Sequence, residues 1–291
     1  MYIEFYNLAM LPFENTPDPR LFFASEQHRE ALAAIEYTIR MRKGFALITG
    51  DIGSGKTTVG RTMCERCGDQ ATIVQVLPGH DHAQSLLRQV LRALGVTVHR
   101  RDDYCDMVDR LRERLTDHLE QDRPVVLFVD EAQTLSDEAL EALRLLSNLD
   151  TASAKPIQIV LVGHPELRQR IRQPRHNALR QRIVMAKQLY PFQIEETGSY
   201  ILHRLRAASG EMHEPQVRFT PGAIREIHRI TGGVPRLINV VCDNCLLLGF
   251  VREVRDITPD IVHRVAEDMV PSFDDTGVGH SDQQPGLSLS A

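Results

Sequence analysis

Residues 50–57 read Gly50-Asp51-Ile52-Gly53-Ser54-Gly55-Lys56-Thr57, with Thr58 directly after. Glycines at this spacing let the backbone curl so that successive N–H groups point inward at anionic oxygens. The run before the loop, Phe45-Ala46-Leu47-Ile48-Thr49, is short, apolar and bounded by Gly44 and Gly50, as a buried strand would be. The stretch after it, Lys56 to Cys67, reads as a helix, and the positive amino end of a helix adds to the attraction for phosphate. A glycine loop placed between strand and helix predicts a nucleotide site of the Walker A kind. Residues 50–58 would cradle the phosphates of ATP, Lys56 would reach the β- and γ-phosphates, and the Thr57 hydroxyl would ligate Mg2+.

A second signal lies downstream. Val125-Val126-Leu127-Phe128-Val129 is strongly apolar and ends in two acids, Asp130 and Glu131. A strand tip facing a phosphate loop is where an open α/β sheet places its ligand. There Asp130 would hold the hydration shell of Mg2+, and Glu131 would polarise a water for in-line attack on the γ-phosphate. An Asp-Glu pair alone is commonly a solvated loop; the glycine loop upstream turns the reading towards catalysis.

The rest of the chain sets the architecture. Ser25 opens a helical pattern with Ala31, Leu32, Ile35 and Ile39 on one face, ending at Gly44. Further strands are expected at Thr72–Leu77 and Ile157–Val162, and further helices at Ala83–Leu94, Asp106–Glu120 and from the cap Ser136 to about Leu149. Strands alternating with helices imply a parallel sheet covered on both faces. Beyond Tyr190 only helices are expected: Glu195–Ser209, one opened by Thr220-Pro221 and ended by Gly232-Gly233, Arg236–Val251, and one opened by Thr258-Pro259. The predicted organisation is an α/β domain over 1–190 with an irregular N-terminal segment at 1–24, a small all-helical lid over 191–270, and a polar, disordered tail at 271–291.

Composition agrees with a globular chain: 291 residues, 42% hydrophobic, 25% charged, formal net charge −5. The mild acidity does not advertise nucleic-acid binding. No apolar run approaches the roughly 18 residues that cross a bilayer, and the N-terminus lacks the features of a signal peptide, so a cytoplasmic protein with no membrane span is expected. Five cysteines, an odd number, argue against a disulfide scaffold. The pairs Cys64/Cys67 and Cys242/Cys245 have zinc-like spacing, but both fall inside predicted helices and read better as buried small hydrophobes. Arg100-Arg101 is expected to be neutralised by Asp102-Asp103 beside it.

The motifs GDIGSGKTT, VVLFVDEAQ, IVLVGHPEL, LRQRI and GGVPRLIN, in this order, resemble the AAA+ ATPases of the ExeA/GspA (general secretion pathway protein A) family. The resemblance spans about residues 1–270. It implies that Ile157–Val162 is a sensor strand between the two motifs, with His164 at its tip, where related sequences often carry Gln. Asn148 is a weaker polar candidate. Arg180 and Arg182 resemble the family's arginine-finger region, with Arg182 favoured; such a finger enters the neighbouring subunit's site. The competing reading is a solvated basic helix, since Arg168, Arg170, Arg172 and Arg175 crowd the same stretch. Arg236, after the rigid Gly232-Gly233-Val234-Pro235 turn, looks like the lid arginine that touches nucleotide phosphates; a cation in a first helical turn opposes the helix dipole unless an anion joins it.

The family implies self-association through ATP at subunit interfaces and a protein partner in an envelope secretion, pilus or polysaccharide-export machine. Secretion members carry a membrane span and a peptidoglycan-binding region after the ATPase. The sequence to Ala291 shows neither, so the expected envelope link runs through a partner protein. A DNA-associated ATPase resembling transposition regulators is the alternative, against which stand the acidic net charge and the lack of a recognisable DNA-binding domain.

Overall fold

A computed structural model describes residues 1–273 except 16–17, 78–81, 150–154 and 211–213, and leaves out the side chains of 19 and 270–273. The tail predicted at 271–291 lies outside the described residues from 274 onward.

Five parallel strands form the central sheet: β1 (Phe45–Gly50), β2 (Thr72–Val76), β3 (Val125–Val129), β4 (Ile157–Gly163) and β5 (Ile183–Leu189), in spatial order β2-β3-β4-β1-β5. Every residue of β1, β3 and β4 is buried, which explains why these strands read as unbroken apolar runs. Helix α1 (Tyr2–Phe5) is a single turn in the N-terminal segment, where an irregular chain was expected.

Helices α2 (Glu26–Arg40) and α3 (Lys56–Cys67) cover one face of the sheet, packing on Ala46, Ile48, Val126, Phe128, Val160 and Val162. Helices α4 (Ala83–Ala93), α5 (Tyr104–Glu120) and α6 (Asp137–Leu146) cover the other, against Phe45, Leu47, Leu127, Ile159 and Leu161. The alternation along β1 divides its side chains between the two cores. Ser25 Oγ caps α2, Asp103 caps α5 and Ser136 Oγ caps α6, each accepting from the backbone N–H three residues on.

Two short helices, α7 (Pro165–Ile171) and α8 (Asn177–Arg180), link β4 to β5. Strand β5 was not expected. It is an edge strand whose side chains are mostly half-exposed or exposed, so Lys187 and Gln188 interrupt any apolar run.

The C-terminal part is helical: α9 (Ile194–Ser209), α10 (Pro221–Thr231), α11 (Pro235–Val251) and α12 (Pro259–Phe273). A two-residue parallel pair, β6 (Arg218–Phe219) with β7 (Asp256–Ile257), ties the starts of α10 and α12 together.

The N-terminal segment packs into this helical core. Tyr2, Tyr6, Leu8 and Phe13 are buried among its side chains. The Tyr6 hydroxyl lies within hydrogen-bonding distance of the carbonyls of Leu246 (3.2 Å) and Val254 (3.1 Å). The guanidinium of buried Arg204 donates to the carbonyls of Pro12 (2.5 Å) and Glu14 (2.7 Å). Cys242 and Cys245 are buried in this core, while Cys67 is buried between α3 and the sheet. Asp102 accepts from Arg110 (2.8 and 3.2 Å) and Asp103 caps α5, so the two acids beside Arg100-Arg101 also serve Arg110 and the start of α5.

Candidate nucleotide site

The glycine loop leaves the carboxyl end of β1 and runs straight into α3. Gly53 and Gly55 have φ of +78° and +91°, a left-handed backbone that costs an L-residue with a side chain about 1–2 kcal/mol. Space is also short at both positions. A Cβ on Gly53 would lie 2.8 Å from Cβ of Arg236, and one on Gly55 would lie 2.8 Å from His28 Nε2. Lys56 is only 5% exposed, and its Nζ donates to the carbonyls of Gly50 and Asp51, both at 2.8 Å. Burial pushes its pKa down; Glu131, Asp130, Asp51 and Glu166 pull the other way.

β3, β4 and β1 run parallel, so the acids after β3 lie at the same edge of the sheet as the loop after β1. The Thr57 hydroxyl donates to Asp130 Oδ2 at 3.1 Å. The other Asp130 oxygen accepts from the backbone N–H of Glu131 at 2.9 Å, and Glu131 itself sits at φ +50°. A strained backbone at a non-glycine residue persists only where the surroundings hold it. His164, just past β4, places Nε2 3.6 Å from Glu131 Oε2.

A cavity of about 390 Å³ opens over this cluster. The wall contains Gly53, Gly55, Lys56, Thr57, Thr58, Glu131, His164 and Arg236. Arg236 is the second residue of α11, and its backbone N–H donates to the Gly53 carbonyl at 3.3 Å, so the helical part rests directly on the loop. The wall also contains Phe22, Phe23, Phe192 and Tyr200, with Glu14, Asn15, Asp18, Arg204 and Asn239 as polar neighbours.

These residues fit a magnesium nucleotide. Ser54 Oγ is buried with no hydrogen-bond partner among the described residues, Lys56 supplies a buried cation, and a hydroxyl and a carboxylate suit a hard cation. The aromatic half matches the apolar pockets that hold flat ligands.

The AAA domain family matches residues 39–171. Over 252 residues the chain is 37% identical to general secretion pathway protein A of Aeromonas hydrophila. The chain belongs to the AAA+ family of general secretion pathway protein A.

The match takes in 87% of this chain and 45% of that protein, so this family member spans about half the length of its relative. Among solved structures, Cdc6p of Pyrobaculum aerophilum superposes with a TM-score of 0.65 at 19% identity, covering 88% of this chain and 70% of that one. The Aeropyrum pernix ORC2 protein, in ADPNP-ADP complexes, gives 0.62 at 16%, covering 88% and 71%. At such identities these similarities establish the AAA+ fold alone.

For this family member, the remaining residues singled out in the sequence lie elsewhere. Arg182 is at the amino end of β5, beside Gly44 and opposite the cavity, with NH1 3.3 Å from Ser147 Oγ. Arg180 is exposed at the end of α8. Arg170 and Arg175 are engaged by Asp137, and Arg168 by Gln188, which leaves less of the basic stretch free than its composition suggests. Asn148 is exposed and outside the cavity wall. Among the described residues no helix is long and apolar enough to cross a membrane.

Sequence reading missed His28, which is 3% exposed, lines the cavity and braces the loop. Its Nε2 lies 3.2 Å from the Ser54 carbonyl and its Nδ1 2.6 Å from Ser25 Oγ. A carbonyl only accepts, so Nε2 carries the proton and Nδ1 accepts from the serine. Burial pushes the His28 pKa below its ordinary 6.5, as burial does for His118 and His203. Between the folded and unfolded values the unfolded chain binds more protons, so stability is complete above about 6.5 and is lost as pH falls below it. His28→Ala is expected to raise the Kd for ATP about fivefold to tenfold, the loss of about one hydrogen bond. It should also flatten the acid side of the stability profile, which urea unfolding at about pH 5.5 and 7.5 measures. An unchanged profile would mean that His28 titrates alike in the folded and unfolded chain.

Proposed function

We propose that this chain hydrolyses Mg-ATP in the cleft between the sheet and the helical part, and that hydrolysis drives a conformational or assembly change. The hydrogen bond from Thr57 to Asp130 carries this reading, because it joins the two sequence motifs at one point beside the buried Lys56. The loop from Gly50 to Thr58 would wrap the phosphates with its N–H groups and Lys56. Thr57 and Asp130 would hold Mg2+, which neutralises charge on the β- and γ-phosphates when bound. Glu131 would take a proton from the water that attacks the γ-phosphorus, with ADP leaving on the far side. His164 would monitor the γ-phosphate from the tip of β4, and Arg236 would couple closure of α9–α12 to the phosphates.

We further propose that the helical part, 191–270, moves as a lid against the α/β part, 1–190. The N-terminal segment bridges both: its first residues pack in the helical core, while Phe22 and Phe23 line the cavity. Arg180 and Arg182, remote from their own cavity, suit a role in a neighbour's site, so the active form would be a self-assembly of this chain in the cytoplasm. In keeping with its family, the protein partner would belong to an envelope secretion, pilus or polysaccharide-export machine.

Mixing tests the shared site. The Arg180→Ala/Arg182→Ala double variant keeps an intact cleft and lacks the finger; Glu131→Gln keeps the finger and lacks the water-orienting carboxylate. Each alone should be nearly inactive, by about 10³-fold for the arginines, and a mixture should recover a substantial fraction of activity. No recovery on mixing counts against a finger acting between subunits. Stimulation of turnover by duplex DNA would favour a DNA-associated ATPase over an export role.

A further inference from the structure

Gln133 follows Glu131 by two residues, in a short helical turn between β3 and α6. Its side-chain carbonyl oxygen, Oε1, accepts from the backbone N–H of His164 at 3.0 Å. Its Nε2 donates to Glu131 Oε2 at 2.5 Å. The orientation of this amide is fixed by chemistry. A backbone N–H can only donate, so Oε1 must face His164; a carboxylate can only accept, so Nε2 must face Glu131.

The turn that carries Gln133 is held from outside. Arg170 donates to the carbonyls of Gln133 (3.1 Å) and Leu135, and is itself engaged by Asp137 at 2.9 Å. On the strand side, Gly163 leaves the room the amide fills, since a Cβ there would lie 2.6 Å from Oε1. In this arrangement the Glu131 carboxylate lines the cavity and is the leading acid acting on Lys56.

We propose that Gln133 is the positioning residue that aims Glu131 at the reacting water and ties that aim to the tip of β4. The inference rests on the water-orienting role given to Glu131. The amide has two fixed partners, one on the catalytic carboxylate and one on the backbone that carries His164. A shift of the β4 tip therefore moves Glu131 by a comparable amount. Misplacement of a reacting group by about 1 Å can cost 10²-fold in rate.

The test uses the full chain. Gln133→Met keeps the length of the side chain and adds no charge, but offers neither the donor facing Glu131 nor the acceptor facing His164 N–H. It should lower kcat about 10²-fold while the KM for ATP and the Kd for a non-hydrolysable ATP analogue stay near wild type and the Tm falls by no more than a few degrees. In a Glu131→Gln background the same change should add no further loss, because the group it positions is already gone. Gly163→Ala, which displaces the amide from the other side, should lower kcat about tenfold with binding retained.

Wild-type kcat in Gln133→Met, alongside a large loss in Glu131→Gln, overturns this inference alone. An equal further loss in the Glu131→Gln background would make Gln133 a purely structural residue and overturn it as well. Full turnover in Glu131→Gln removes the role of Glu131 and this inference with it.

Discussion

Lys56→Ala is expected to weaken ATP binding by about 10³-fold. Lys56 is the buried cation at a loop that otherwise offers backbone N–H groups, and Asp51, Asp130, Glu131 and Glu166 all act on it electrostatically. Removing one positive charge about 4 Å from a phosphate at an effective dielectric of 20 costs about 4 kcal/mol, which is roughly 10³ in affinity. The acids would then face the incoming polyphosphate uncompensated. Calorimetric titration of the nucleotide reads the effect directly. A second readout is the rise in Tm that ATP gives the wild type through preferential binding to the folded state; the variant should lose it. Binding within tenfold of wild type would mean that the phosphates do not meet Lys56.

Glu131→Gln is expected to retain ATP and to lower turnover by 10²–10⁴-fold, the usual contribution of a positioned base. The amide keeps the size of the side chain and its place near His164 Nε2, 3.6 Å away, but it cannot take a proton from water. Nucleotide affinity should hold or improve, since one negative charge leaves a cleft that receives phosphates. Turnover near wild type would assign the proton to another group.

Much of this site was legible in the sequence because its parts are local. The glycine loop needs glycine at Gly53 and Gly55 for their left-handed backbone, and its flanking strand and helix are marked by an apolar run and by the glycines themselves. The all-buried β1, β3 and β4 announce themselves as apolar runs, and Thr220-Pro221 and Thr258-Pro259 mark helix starts by their capping chemistry.

What stayed hidden depends on partners distant in the chain or on one-sided burial. Strand β5 is a half-exposed edge, so its composition carries no run to detect. His28 gains meaning only from the Ser54 carbonyl, 26 residues on, and Gln133 only from His164, 31 residues on. The N-terminal aromatics advertise burial, but only the fold shows that Tyr2 and Tyr6 bury themselves against the C-terminal helices, with Tyr2 hydrogen-bonded to Asp243. Arg170 looks like one more free cation in a basic run, yet Asp137 and two carbonyls hold it.

Everything above turns on whether the cleft built by Lys56, Thr57, Asp130 and Glu131 turns over Mg-ATP. Steady-state phosphate release by the purified chain at saturating Mg-ATP, over a range of protein concentrations, tests it most directly. Release should saturate with Mg-ATP, and its rate per chain should climb with protein concentration as subunits complete one another's sites. A chain that binds ATP yet releases no phosphate above the spontaneous rate at any concentration would contradict it.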